Sequence, residues 1–230
     1  MSSAPLAQES TDYAVVEGEP PELLGRNLVA AAHLLASATA FFFLSFVFAY
    51  FYLRSLASGA MWKPRGVDAS IAWGTVVTAC VAVSAILVQR GLADHRAGRR
   101  PEWRRKGLAA LLLGAAALVL QAIAWTQQSF GPSDGGFASV YFGWTAFLFL
   151  FVLGTMVWLE MVLATSYRYR GFAAGTTEVA PGEASGDPYR SGADIRDPVS
   201  LIRAELEALS FYWAFLAGIV VLTWIVLYLL

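Results

Sequence analysis

The side chains able to ionise or bind a metal are few and widely spaced in this chain, which is 57% hydrophobic and only 14% charged. Those in or beside the apolar runs that could carry chemistry are His33, Cys80, His95 and Glu160. His33 has no second His, Cys or carboxylate one helical turn away, so it reads as a hydrogen-bonded histidine near a membrane surface rather than a metal ligand. His95 falls in a basic loop, so the sequence holds neither a haem-ligating pair nor a copper cluster. Cys80 sits in an apolar run and reads as a small buried residue; a single cysteine excludes an internal disulfide. Glu160 has two readings: a carboxylate that reaches the headgroups or pairs with an Arg, or a proton-relay group. Nothing titratable lies one turn from it to take a proton onward, which favours the first. Gln121 reads as a helix–helix hydrogen bond and Trp125 as an interfacial anchor. The hydroxyls of Thr75, Thr78 and Ser84 are expected to bond back to their own helix. Phosphate-binding glycine loops, HExxH and GxSxG are absent, as are inverted repeats and broken helices of the transporter kind.

The elements that hold these residues are membrane spans. Phe137 to Tyr167 is apolar on every face and longer than the roughly 20 residues that cross a bilayer as a helix. Mean hydropathy is +0.56, and soluble domains carry closer to ~25% charged residues. The pattern predicts an all-α polytopic membrane protein with five transmembrane helices, at about 27–54, 71–89, 108–128, 137–167 and 211–230. Ala32, Ala36 and Ala40 make a smooth face on the first helix, and Ala110 with Gly114 another on the third; such rows let membrane helices approach closely. Tyr50, Tyr52 and Arg54 read as interfacial anchors.

Residues 1–26 hold one Arg against Glu9, Asp12, Glu17, Glu19 and Glu22. They are expected to form an acidic disordered tail without a signal peptide, so that insertion uses the first span. Residues 168–197 are rich in Gly, Ser and Glu and are expected to be a flexible loop. Asp197 as N-cap and Pro198 as first residue signal a short amphipathic helix over 198–209, lying along the membrane surface. Of the 16 Lys and Arg, 13 fall on one side of the predicted topology and 3 on the other. That asymmetry puts the N-terminus in the cytoplasm and the C-terminus outside. Net charge of −1 suggests no nucleic-acid partner.

Four segments, in order, resemble cytochrome c oxidase subunit III in its five-helix bacterial form. Ser37 to Phe42, continuing to Arg54, is similar to the family's S-E-x-x-F-F segment. Leu120-Gln121 to Trp125 is similar to Q-x-x-E-Y/W. Val140-Tyr141 to Thr145, leading to Phe151-Val152, is similar to Y-F-x-x-T-G-x-H-x-x-H-V. Ala208 to Phe215, with Tyr212 and Trp213, is similar to A-x-x-Y-W-H-F. The ionisable members of these motifs are exchanged throughout: Ala38 and Ala124 replace Glu, Leu148 and Phe151 replace His, Ala214 replaces His and Ala217 replaces Asp.

The resemblance implies a subunit III-like bundle in a bacterial plasma membrane. It would be a non-catalytic accessory subunit of a haem–copper terminal oxidase, which passes electrons from cytochrome c to dioxygen and pumps protons. The chain would bind no metal itself; haem and copper belong to partner subunits. Subunit I, with subunit II, and membrane lipid held in a cleft are the implied partners. Helix-packing or partner-contact candidates are Ala32, Ala36, Ala40, Gly114, Gln121, Tyr141, Gly154, Tyr212 and Trp213. His33 and Glu160 are the intramembrane ionisable candidates. Alternatives are a subunit III-like accessory protein of nitric oxide reductase, and a stand-alone transporter or scaffold.

Overall fold

The computed structural model describes residues 21–57, 59–168 and 198–230. Most of the expected tail, the expected loop and the Asp197 cap lie outside them. Among the described residues the chain is helical, without strands: α1 (Pro21–Leu56), a short α2 (Gly59–Trp62), α3 (Ile71–Arg96), α4 (Arg100–Thr126), α5 (Gly136–Arg168) and α6 (Pro198–Trp224), which ends in a π-helical turn, Ile225–Leu229. Five of these helices are long and apolar enough to cross a membrane; the protein is a multi-pass membrane protein.

The helix ends differ from expectation in three places. Pro21 to Arg26, counted with the tail, form the first turns of α1. The basic segment after Gln89 is helical except for a turn at Ala97–Arg99, where Gly98 adopts φ 75°. Pro101 lies in the first turn of α4, where its missing N–H breaks no bond. The short surface helix does not stand apart: Pro198–Trp224 is one helix. No Gly or Pro separates Leu209 from Phe211, so the apolar row Ile202, Leu206, Leu209 runs on into Tyr212, Trp213 and Leu216, all buried.

Helix α6 is central, touching α1, α3 and α5, while α3 packs on α4, and α4 on α5. It runs parallel to α1, with Gly25 beside Ala204 and Arg54 donating to the Leu230 carbonyl at 2.8 Å. It runs antiparallel to α3, with Gln89 at Ser210 and Trp224 at Thr75. One end of the bundle therefore collects Arg26, the α3–α4 turn and Arg203, and the other Arg54, Lys63 and Arg65. Lipid tails are as apolar as leucine, so burial of apolar area does not drive these helices together; van der Waals contact and hydrogen bonds do. Accordingly Ala32, Ala36, Ala110, Gly114 and Ala117 are buried, and Trp103, Trp144 and Trp213 are fully so. Ala40 is half-buried. Trp103 fits between Gly91 and Gly107 and closes the α3–α4 hairpin.

At the hairpin turn the buried Asp94 carboxylate takes Arg99 at 2.6 Å and also Lys106. The same ion pair raises the Arg99 pKa above its ordinary value. Asp94→Asn should loosen the turn, and limited trypsin digestion of the detergent-solubilised protein should cleave after Arg99 faster than in wild type. Equal rates would show that the ion pairs do not hold it. Gly114 touches Met156, and any Cβ there collides with the sulfur. Gly114→Val should lower thermal stability by about 1–3 kcal/mol, the usual scale of overpacking. Gly218→Val, where a Cβ meets nothing within 4 Å, should leave the melting curve near wild type.

Candidate functional site

Most hydroxyls in the spans do bond back one turn, as Thr39 to the Leu35 carbonyl (2.7 Å), Thr75 to Ile71 (2.8 Å) and Thr155 to Phe151 (2.8 Å). Ser84 does not. It is fully buried, donates across to the Ala110 carbonyl of α4 at 2.7 Å and accepts from Trp213 Nε1 of α6 at 3.1 Å. One hydroxyl thus joins three helices. Trp125 makes a second tie between helices. Its Nε1 donates to Thr145 Oγ1 at 3.0 Å, and its ring lies 5.4 Å from Phe149, so it also ties α4 to α5. The spacing in sequence could not reveal either contact, because each depends on the rotation of two helices about their axes.

The ionisable candidates lie apart. His33 is exposed; its Nδ1 pairs with the Val29 carbonyl at 2.8 Å and its ring stacks on Phe211 at 4.1 Å. Glu160 is exposed on the outer side of α5. Among the described residues no three of His, Cys, Asp and Glu come together.

The packing candidates divide into two groups. Tyr212 meets Thr39 of α1 at 3.2 Å and Trp213 meets Ser84, so both lie in the bundle interior. Tyr141 is buried and shares a polar cluster with Tyr228 (3.3 Å), Gln128 (3.3 Å) and the neighbouring Gln121. Among the described residues the buried Nε2 of Gln121 meets no acceptor in hydrogen-bonding geometry, and Gln121 borders a cavity of about 20 Å³ beside Thr145 and Leu148. That volume is about what one water needs. Gly154, by contrast, is exposed and has open space above its Cα.

The positions where ionisable groups are exchanged are mostly interior. Ala124, Leu148 and Ala217 are buried, and Phe151 packs against Phe42 (5.6 Å) and Phe43 (5.3 Å). Only Ala38 and Ala214 are exposed. A charge at Phe151 would find aromatic rings and no partner, a costly placement.

Next to Phe151 an apolar cleft of about 380 Å³ opens between α1, α5 and α6. Leu35, Leu150, Gly154, Trp158 and Tyr212 line it. The only side-chain polar atoms among all its lining residues are the Thr155 and Tyr212 hydroxyls and the Trp158 indole nitrogen. Such a lining suits hydrocarbon, not a polar solute.

Comparison with known proteins bears on the whole bundle. No curated protein matches the chain significantly. The family model for cytochrome c oxidase subunit III matches residues 13–176, more than half of the sequence and four of its five spans. The chain belongs to the cytochrome c oxidase subunit III family.

Proposed function

We propose that this protein is the non-catalytic subunit III-like component of a haem–copper terminal oxidase that oxidises cytochrome c, reduces dioxygen and pumps protons. It packs against subunit I, with subunit II in the same complex, and steadies them. It sits in a bacterial plasma membrane with its Arg-rich end in the cytoplasm, as the 13-to-3 distribution of cations favours. Family membership carries this reading. The interior chemistry supports the non-catalytic part of it: where the family's motifs place carboxylates and imidazoles, this chain carries the apolar side chains of Ala124, Leu148, Phe151 and Ala217.

The cleft gives the subunit a second role, holding phospholipid acyl chain. Its volume of about 380 Å³ and apolar lining accept a length of hydrocarbon chain. The exposed side chain of Leu35 forms one lip.

Two measurements test these roles. The chain purified in mild detergent from its native membrane should bring haem protein with it, giving a visible absorption spectrum of a haem–copper oxidase. A preparation without haem would overturn the oxidase reading, and haem with nitric oxide reduction instead of oxygen consumption would redirect it to a reductase. For the cleft, Leu35→Trp should lower the phospholipid retained per haem after extensive detergent washing. Unchanged lipid content would remove the cleft as its site.

A further inference from the structure

Glu160 is exposed, lies within a membrane span, and has no hydrogen-bond or ion-pair partner among the described residues. Its depth follows from two contacts between antiparallel helices. Gly107 meets Leu163 and Gly114 meets Met156, so Glu160 is level with Ala110 and hence with Ser84. It lies seven residues before Tyr167, the end of the span, or about 10 Å along the helix axis. A helical side chain leans toward the N-terminus of its own helix. The carboxylate therefore leans away from the near end of its own helix. Arg104 of α4 is directed to the Ser166 carbonyl and the Tyr167 ring, and Lys106 to Asp94. Around Glu160 the face is apolar: Leu153, Val157 and Met161 are exposed, and Ala164 is small enough to admit a close helix.

Resting on the oxidase reading above, we propose that this face of α5 receives a transmembrane helix of the haem-bearing subunit, and that the helix brings a Lys or Arg side chain to Glu160. Charge complementarity selects this occupant. A lipid tail offers the carboxylate no donor. A second copy of this chain, packed on the same face about a two-fold axis, would set Glu160 close to the other Glu160, like charge against like. A cationic partner side chain gives the carboxylate the partner it lacks among the described residues.

The test uses the assembled complex in its native membrane. A photoreactive p-benzoylphenylalanine replaces Met161 in one variant and Val83 in another; both positions are exposed, and Val83 is at the same depth on α3. Irradiation should join position 161, and not position 83, to a haem-bearing polypeptide. In parallel, Glu160→Lys should reduce the haem protein that copurifies per subunit by about tenfold, with Glu160→Gln intermediate, since like charges at such a contact repel. Capture of haem protein from position 83 alone would overturn the assignment of the face while sparing the oxidase reading. An adduct from 161 to a second copy of this chain would overturn the proposal. An adduct from 161 to a protein without haem would overturn the oxidase reading and, with it, the identity of the partner. Undiminished copurification in Glu160→Lys would overturn the ion pair.

Discussion

Ser84 holds a position on which much of the bundle depends. Hydrocarbon has no water to complete the hydrogen bonding of a polar group, so each must be satisfied within the protein. Ser84 meets that demand for three helices: its proton goes to α4, and its lone pair takes the Trp213 indole N–H of α6. The rest of the α3–α6 contact is in register with it, from Gln89 at Ser210 to Trp224 at Thr75. Rotating α6 by one residue would break these bonds together, and each broken one would strand a donor or acceptor away from water. Small residues then let the backbones close around these points. Gly74 lies under Tyr228, Gly91 and Gly107 clasp Trp103, and Gly114 seats Met156.

The existence and number of the spans were legible because a span is set by length and apolarity, both one-dimensional properties. Helix ends were less so. The charges between Arg90 and Lys106 looked like a loop, but a helix can continue beyond hydrocarbon into water, and only Gly98 interrupts it. Likewise nothing in the pattern separated the row Ile202–Leu209 from the span after it; the chain kept both in α6. The interior polar ties were not legible. A serine at position 84 satisfies itself as readily within its own helix as across to another, and only the azimuth of α3 against α4 and α6 decides. The Trp125 contact was hidden for the same reason: a tryptophan near a span end reads as an anchor, and its tie to Thr145 on α5 depends on the azimuths of two helices.

Interior substitution explains how a member of this family keeps its frame without most of its buried charges. A buried charge and its partner are a coupled requirement, since removing one leaves the other stranded. Exchanging the whole set for apolar groups avoids that penalty. Phe151 joins the rings of Phe42 and Phe43 where an imidazole would need a partner, and Ala124 and Ala217 fill their sites with no polar atom to satisfy. Thr39, Tyr212 and Trp213 keep neutral hydrogen bonds between helices, which hold geometry without titrating at neutral pH. Gln121 keeps an amide in this interior: it borders a cavity of about 20 Å³, and its Nε2 meets no acceptor among the described residues.

The two sides of α5 then carry opposite logics. Toward α1 and α6, Phe147, Phe151, Gly154 and Trp158 wall an apolar cleft, and its few polar side-chain atoms are on Thr155, Trp158 and Tyr212, two of which already bond within the bundle. Hydrocarbon can fill such a space without forming any specific bond. Beside the α4 seam, Glu160 stands on an otherwise apolar face, a carboxyl group to which lipid tails offer no hydrogen-bond partner. Purely apolar faces tolerate any apolar neighbour, lipid or protein, and so cannot by themselves select a partner. A single carboxylate on such a face can, because only a neighbour with a donor at the same depth relieves it. The proposed partner contact therefore draws on the carboxylate of α5, and the proposed lipid site on the side of the helix that has none.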